Sequence, residues 1–128
     1  MDYKWQNKKI LIAEDSEMNF ILLKKNLENS GAVIIWAKDG LEMIHSIEIQ
    51  KDIDLILMDI RMPKMDGYTA TKLIREAGIF TPIIAQSAFT MDDEKEKAIK
   101  AGCNDFIEKP VNKEILFAKI DLFIQNPH

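Results

Sequence analysis

The chain has 128 residues, a formal net charge of −4, 47% hydrophobic and 30% charged side chains, and a single cysteine, Cys103. That length makes one domain with one core, large enough to fold without a disulfide or a structural metal, and a lone cysteine points to a reducing compartment. The acidic balance, with an isoelectric point near 5.2, excludes a dedicated nucleic-acid-binding domain. No apolar run approaches the ~20 residues of a membrane span, and no signal-peptide core follows residues 1–9, so a cytoplasmic domain without membrane contact is expected.

Residues 1–8 read as an N-terminal extension, with Tyr3, Lys4 and Trp5 as the remnant of a linker; 9–125 form the domain and 126–128 a tail. The run Ile10-Leu11-Ile12-Ala13 predicts a strand. Residues 17–29 predict a helix, with Met18, Ile21, Leu22 and Leu27 at helical spacing and Gly31 as its stop. A second strand follows over 32–37, with Trp36 packing in it. Residues 40–50 carry a stripe of Leu41, Ile44 and Ile47, beside which His45 reads as structural rather than as a ligand. The run 53–58 predicts a third strand, and Met58, Met62 and Met65 belong to that strand and its loop. Asp66-Gly67 turns into a helix over 67–77 bearing Ala70, Leu73, Ile74 and Ala77, with Gly67 free to take positive φ.

A fourth strand over 82–85 leads to Thr90-Met91-Asp92-Asp93, a capping box for a helix ending at Ala101. The charges from Lys95 to Lys100 read as its solvated face. Residues 105–107 predict the fifth strand, and Asn112 caps a last helix carrying Ile115, Leu116, Lys119, Ile120 and Phe123. Short, nearly unbroken Ile/Leu/Val runs are what strands buried on both faces look like. Five βα units therefore predict a doubly wound α/β domain, (βα)5, with a five-stranded parallel sheet of order 2-1-3-4-5, flavodoxin-like in architecture. A closed eight-unit barrel needs about twice the length.

In such a sheet ligands bind outside the carboxyl ends of the strands. Those ends carry Glu14-Asp15-Ser16, Asp59, Gln86-Ser87-Ala88 and Glu108-Lys109-Pro110. Strands one and three are neighbours in this order, so Glu14, Asp15 and Asp59 converge. Clustered carboxylates repel one another, and a partner cation or a bound proton must relieve them. The donors are hard oxygens with no histidine or further cysteine, which favours Mg²⁺, or Mn²⁺ in its place, over Zn²⁺. With Lys109 and the Ser87 hydroxyl, these are the parts of a phosphoryl-transfer site. Taken singly, each residue has a plainer reading: Asp15 or Ser16 as a helix cap, Lys109 as a solvated loop residue. Their convergence on one edge carries the functional reading.

The runs Ile12-Ala13-Glu14-Asp15-Ser16-Glu17-Met18-Asn19, Leu57-Met58-Asp59-Ile60-Arg61-Met62-Pro63-Lys64-Met65-Asp66-Gly67, Pro82-Ile83-Ile84-Ala85-Gln86-Ser87-Ala88 and Gly102-Cys103-Asn104-Asp105-Phe106-Ile107-Glu108-Lys109-Pro110 resemble the response-regulator receiver domain. The likeness extends from Lys9 to Ile124. It implies an aspartate phosphorylated by a partner phosphohistidine, on a histidine kinase or a histidine phosphotransfer domain. By position Asp59 would be the acceptor, Asp15 a direct Mg²⁺ ligand, Glu14 a largely water-mediated one, and the Arg61 backbone carbonyl another. Ser87 would be the switch hydroxyl, Phe106 the switch aromatic and Lys109 the phosphate-binding lysine. Glu14 stands where Asp is commoner, Ser87 where Thr is, and Phe106 lacks a hydroxyl. Gln86 is polar in what should be a buried strand.

The Glu-Asp-Ser-Glu-x-Asn opening resembles receivers attached to hybrid sensor histidine kinases, so an excised receiver of such a kinase is expected, with a single-domain receiver as the other reading. In the family the positions two after the acceptor and two after the switch hydroxyl flank the approach of water to phosphorus. Here they are Arg61 and Phe89, both large, so slow loss of phosphate is expected. The helix ending at Ala101 has few apolar residues (Met91, Ala98, Ile99 and Ala101), so it is the expected mobile element. A haloacid-dehalogenase-type phosphatase would need a second Asp where Arg61 stands, and a guanidinium stays protonated. A flavodoxin-like cofactor binder would need a glycine-rich phosphate loop where Glu14-Asp15-Ser16-Glu17 stands. A scaffold with a degenerate site would not keep the whole set.

Overall fold

The computed structural model describes residues 3–88 and 92–125. The expected capping residues Thr90 and Met91, and Phe89, lie outside them. Ten elements alternate along the chain: β1 (Lys9–Ala13), α1 (Glu17–Glu28), β2 (Val33–Ala37), α2 (Gly40–Ile49), β3 (Leu55–Asp59), α3 (Gly67–Glu76), β4 (Ile83–Ser87), α4 (Asp92–Ala101), β5 (Asp105–Glu108) and α5 (Lys113–Gln125). All strand pairs are parallel, and the sheet order is β2-β1-β3-β4-β5, as expected. Among the described residues no helix is long and apolar enough to cross a membrane.

Side chains alternate faces along each strand. Leu11, Ala13, Ile56 and Met58 pack against Met43 and Ile47 of α2, Ala70 and Ile74 of α3, and Ala98 of α4. Ile10, Ile12, Leu55 and Leu57 pack on the other face, against Phe20, Leu23 and Leu27 of α1 and Leu116, Ile120 and Ile124 of α5. Continuing the alternation sends Glu14 and Asp59 to the α1–α5 side. The pairing of Ala13 with Met58 sets them on adjacent strands at one level.

The helix faces match the expected ones in part: Leu27, Ile47, Ala70, Ile74, Leu116 and Ile120 are buried as expected, and others are not. On α1 the buried residues are Phe20, Leu23 and Leu27, while Met18, Ile21 and Leu22 are 73%, 45% and 56% exposed. Leu41, Leu73 and Ile115, each expected in the core, are also exposed. Leu27 of the expected stripe is buried, and tertiary packing turned Phe20 and Leu23 inward with it, into one cluster with Ile10, Ile12, Leu55 and Leu57. β4 runs past its apolar run to include Gln86 and Ser87. β2, at the sheet edge, is only half buried.

Among the described residues the starts of α1, α2, α3 and α5 are capped by side chains. Ser16 accepts from Asn19 N–H at 3.3 Å, Asp39 from Glu42 N–H at 2.9 Å, Asp66 from Thr69 N–H at 2.9 Å, and Asn112 from Ile115 N–H at 3.0 Å. Each satisfies one of the unpaired donors of a helix N-terminus. Within the segment read as an extension, Trp5 is fully buried against the α5 side. Its indole N–H donates to Asp121 at 2.8 Å, and its ring meets Tyr3 and Phe117.

Gly67 does not use its freedom for positive φ; in that loop the positive φ belongs to Lys64, at 65°. What Gly67 supplies is space. A Cβ there would lie 2.7 Å from Met58 Cε and 3.0 Å from Ile60 Cα, and its N–H donates to Ile60 carbonyl at 2.8 Å. Overpacking of this kind costs about 1–3 kcal/mol. Gly67→Ala is therefore expected to lower the urea midpoint by that stability at unchanged m-value. A midpoint equal to wild type would show that the loop yields freely.

Candidate functional site

The carboxyl ends of β1 and β3 place three carboxylates together. One oxygen from each of Glu14, Asp15 and Asp59 lies within 4.8 Å of the others. Glu14 and Asp59 are buried, at 1% and 6% exposure, whereas Asp15 is open to solvent. Lys109, just past β5 and followed by cis Pro110, extends its Nζ to Asp59 Oδ2 at 2.8 Å and to Glu14 Oε2 at 3.4 Å. Asp59 Oδ1 accepts from the Arg61 backbone N–H at 3.0 Å.

Glu14 is fixed from several directions. Its Oε1 accepts from Ser16 N–H at 3.2 Å and Asn19 Nδ2 at 3.4 Å. Its backbone carbonyl accepts from the Trp36 indole at 2.8 Å, and the Trp36 ring stacks on Phe20 with centroids 4.6 Å apart. Trp36 thus packs in its strand, as expected, and also holds the chain at the acidic corner.

The electrostatics follow from this crowding. Burial pushes the Glu14 carboxyl above its ordinary value, and the charge of Asp59 adds to the push; Lys109 and the two hydrogen-bond donors oppose it. For Lys109, burial works to lower the ammonium, but its hydrogen bond to Asp59 and the charges of Asp59 and Glu14 outweigh burial and raise it. Lys109 therefore stays protonated and neutralises part of the cluster, and an excess of negative charge remains. The donor set is entirely carboxylate oxygen, which suits a hard divalent cation such as Mg²⁺. Among the described residues it is the one grouping with that capacity, and His45 lies apart from it on α2.

The other expected site residues fall around this centre. Ser87 is fully buried at the end of β4, and its carbonyl accepts from Lys109 N–H at 2.9 Å. Phe106 is buried in the α2–α3–α4 core, paired in register with Ala85. Gln86 pairs with Asp59 in register; it is buried, and its Nε2 has no hydrogen-bond partner among the described residues. The Arg61 guanidinium does not point to solvent alone. It pairs with Glu94 Oε1 at 2.9 Å, and the Tyr68 hydroxyl donates to Glu94 Oε2. Tyr68 and Glu94 had no signal in the sequence, because their pairing spans 26 positions and obeys no local pattern. Asn19 and Ser16 could have been read from the Glu-Asp-Ser-Glu-x-Asn run, where a donor falls five residues after Glu14.

Known proteins agree with this arrangement. The model of the response regulator receiver domain matches residues 10–121. Hybrid signal transduction histidine kinase I of Dictyostelium discoideum is 40% identical over 121 residues, which cover 88% of this chain and only 7% of that kinase. The receiver domain of a sensor histidine kinase from Pseudomonas aeruginosa PAO1, solved with a magnesium ion coordinated in its active site cleft, is 35% identical with a TM-score of 0.84, covering 93% of this chain and 98% of that one. The Saccharomyces cerevisiae Ssk1 receiver, co-crystallised with the histidine phosphotransfer protein Ypd1, is 30% identical with a TM-score of 0.84, covering 96% and 90%. Strand order, acidic corner and sequence likeness lead to one conclusion: the chain belongs to the response regulator receiver domain family of two-component signalling.

Proposed function

We propose that Asp59 accepts a phosphoryl group from a partner phosphohistidine, with a divalent cation held by Glu14, Asp15, Asp59 and the Arg61 carbonyl. The observation that carries this reading is the Lys109 ammonium 2.8 Å from a buried Asp59 inside a cluster of carboxylates. One Asp59 oxygen forms the new bond to phosphorus as the bond to the histidine nitrogen breaks. Lys109 shifts from bridging Asp59 and Glu14 to pairing with a phosphoryl oxygen, and Ser87 donates its hydroxyl to another. Mg²⁺, or Mn²⁺ in its place, supplies positive charge for the transferring oxygens. Asp59 is the only carboxylate of the three whose strand and register set it beside both Lys109 and the Arg61 N–H.

A partner surface is consistent with the same geometry. Met18, Ile21 and Leu22 make an exposed apolar patch on α1, the helix that starts directly after the acidic pair. An apolar helix face of a histidine kinase or histidine phosphotransfer domain, laid on this patch, would bring a phosphohistidine to Asp59. The likeness to a hybrid kinase supports a parent chain that is itself a protein-histidine kinase with this domain in the cytoplasm. The phosphatase alternative lacks its acid, since Arg61 stands there and is paired with Glu94. Arg61 and Phe89 would lengthen the life of the acyl phosphate by shielding phosphorus from water.

Incubation with a small phosphodonor and Mg²⁺ should label Asp59 alone, and Asp59→Asn should abolish the label seen by mass spectrometry. Label at wild-type level in that variant would sink the assignment. In a Mg²⁺ titration, Asp15→Ala should weaken binding more than Glu14→Ala, because Glu14 is already engaged by Lys109, Ser16 and Asn19 and can be replaced by solvent. Equal or reversed losses would reject that ranking.

A further inference from the structure

Outside the acidic corner, Glu94 in the first turn of α4 is a buried carboxylate, 8% exposed. Such a charge is tolerated only when it is paired. Here the Tyr68 hydroxyl and the Arg61 guanidinium both donate to it. The Tyr68 hydrogen bond, with help from Arg61, holds the Glu94 carboxyl below its ordinary value against the opposing effect of burial. Arg61 is the link between this contact and the acceptor. Its backbone N–H donates to Asp59 Oδ1 at 3.0 Å, while its guanidinium lies 2.9 Å from Glu94.

We propose that Glu94 is a positioning residue that withholds the Arg61 guanidinium from the acceptor, and that a phosphoryl group on Asp59 draws Arg61 away and frees the first turn of α4. The proposal rests on the Asp59 reading above. An Arg61 whose own N–H touches the Asp59 carboxylate needs only its side chain to reach a group bonded there. That side chain is 61% exposed, so it can swing without disturbing the core. A phosphoryl group brings roughly −1.5 to −2 charges and three acceptor oxygens. Glu94 offers one charge, and arginine binds phosphate in a two-pronged geometry. With Arg61 gone, Glu94 keeps the Tyr68 hydroxyl and the charge of Lys97, and is left as a less compensated buried charge. Moving it to water relieves that cost, and α4 moves with it. Ala98 and Ala101 are the apolar side chains of α4 that are buried, while Ile99 is exposed, so the apolar resistance to that movement is small.

Beryllofluoride with Mg²⁺ serves as the phosphoryl stand-in. Its affinity is measured by calorimetry and the mobility of α4 by hydrogen exchange. In the wild type, beryllofluoride should raise exchange in 94–101 while leaving α1 unchanged; this measurement needs no variant. Glu94→Gln keeps the volume and a bond to Tyr68 but drops the charge. It should bind beryllofluoride about fivefold or more tightly, the lower end of usual site–site coupling, and show raised exchange before ligand is added. In an Arg61→Gln background, Glu94→Gln should change the affinity no further. An unchanged affinity in Glu94→Gln, or an undiminished effect without Arg61, would overturn the proposal and leave Glu94 as packing for α4. Equal beryllofluoride binding by Asp59→Asn would instead overturn the acceptor reading, and the exchange of Arg61 partners with it.

Discussion

Two carboxylates buried at the ends of adjacent strands form the constraint around which the rest of this molecule is arranged. Glu14 and Asp59 follow the core residues Ala13 and Met58 in register, so the sheet itself forces them together and away from bulk water. Neither can move apart without breaking a strand. Lys109 resolves the conflict from a third strand, reaching both acids from the end of β5. The second layer keeps that compromise in place: Ser16 and Asn19 on the Glu14 oxygens, the Trp36 indole on the Glu14 carbonyl, and the Arg61 N–H on Asp59. With three carboxylates and one lysine the corner remains short of positive charge, which suits it to a divalent cation.

The two faces of the sheet divide the work. On the α1–α5 side lie the carboxylates of the acidic corner, the lysine and the exposed apolar turn of α1. On the α2–α3–α4 side lie Phe106 and Tyr68, in one cluster with Ala85, and Glu94, bonded by the Tyr68 hydroxyl. Arg61 stands between them, with its backbone N–H on Asp59 and its side chain on Glu94 of α4. A change of charge at Asp59 therefore has a short physical route to the opposite face that does not require the core to repack.

The acidic corner was legible in the sequence because each of its members ends an apolar run, and the order of runs fixes which ends are neighbours. The parallel sheet was legible for the same reason. The face of α1 was not. Leu27 was read correctly, but Met18, Ile21 and Leu22 fit a helical stripe as well as Phe20 and Leu23 do, and only packing against the rest of the fold selects between them. Gly67 was read through its backbone freedom, whereas its role is the close approach of Met58 and Ile60, a distance that one segment cannot reveal. Glu94 looked like one more charge on a solvated helix until the fold brought Tyr68 and Arg61 to it.

The central claim, that Lys109 and a bound cation share the neutralisation of one buried acidic corner, is tested most directly by urea unfolding of wild type and Lys109→Met with and without Mg²⁺. Without Mg²⁺ the variant should be less stable by about 1–3 kcal/mol, the cost of leaving buried charge without its partner. Saturating Mg²⁺ should narrow that gap, because a cation that binds only the folded state adds more stability where the site lacks its own positive charge. Equal stability without Mg²⁺, or a gap that Mg²⁺ leaves unchanged, would contradict the account.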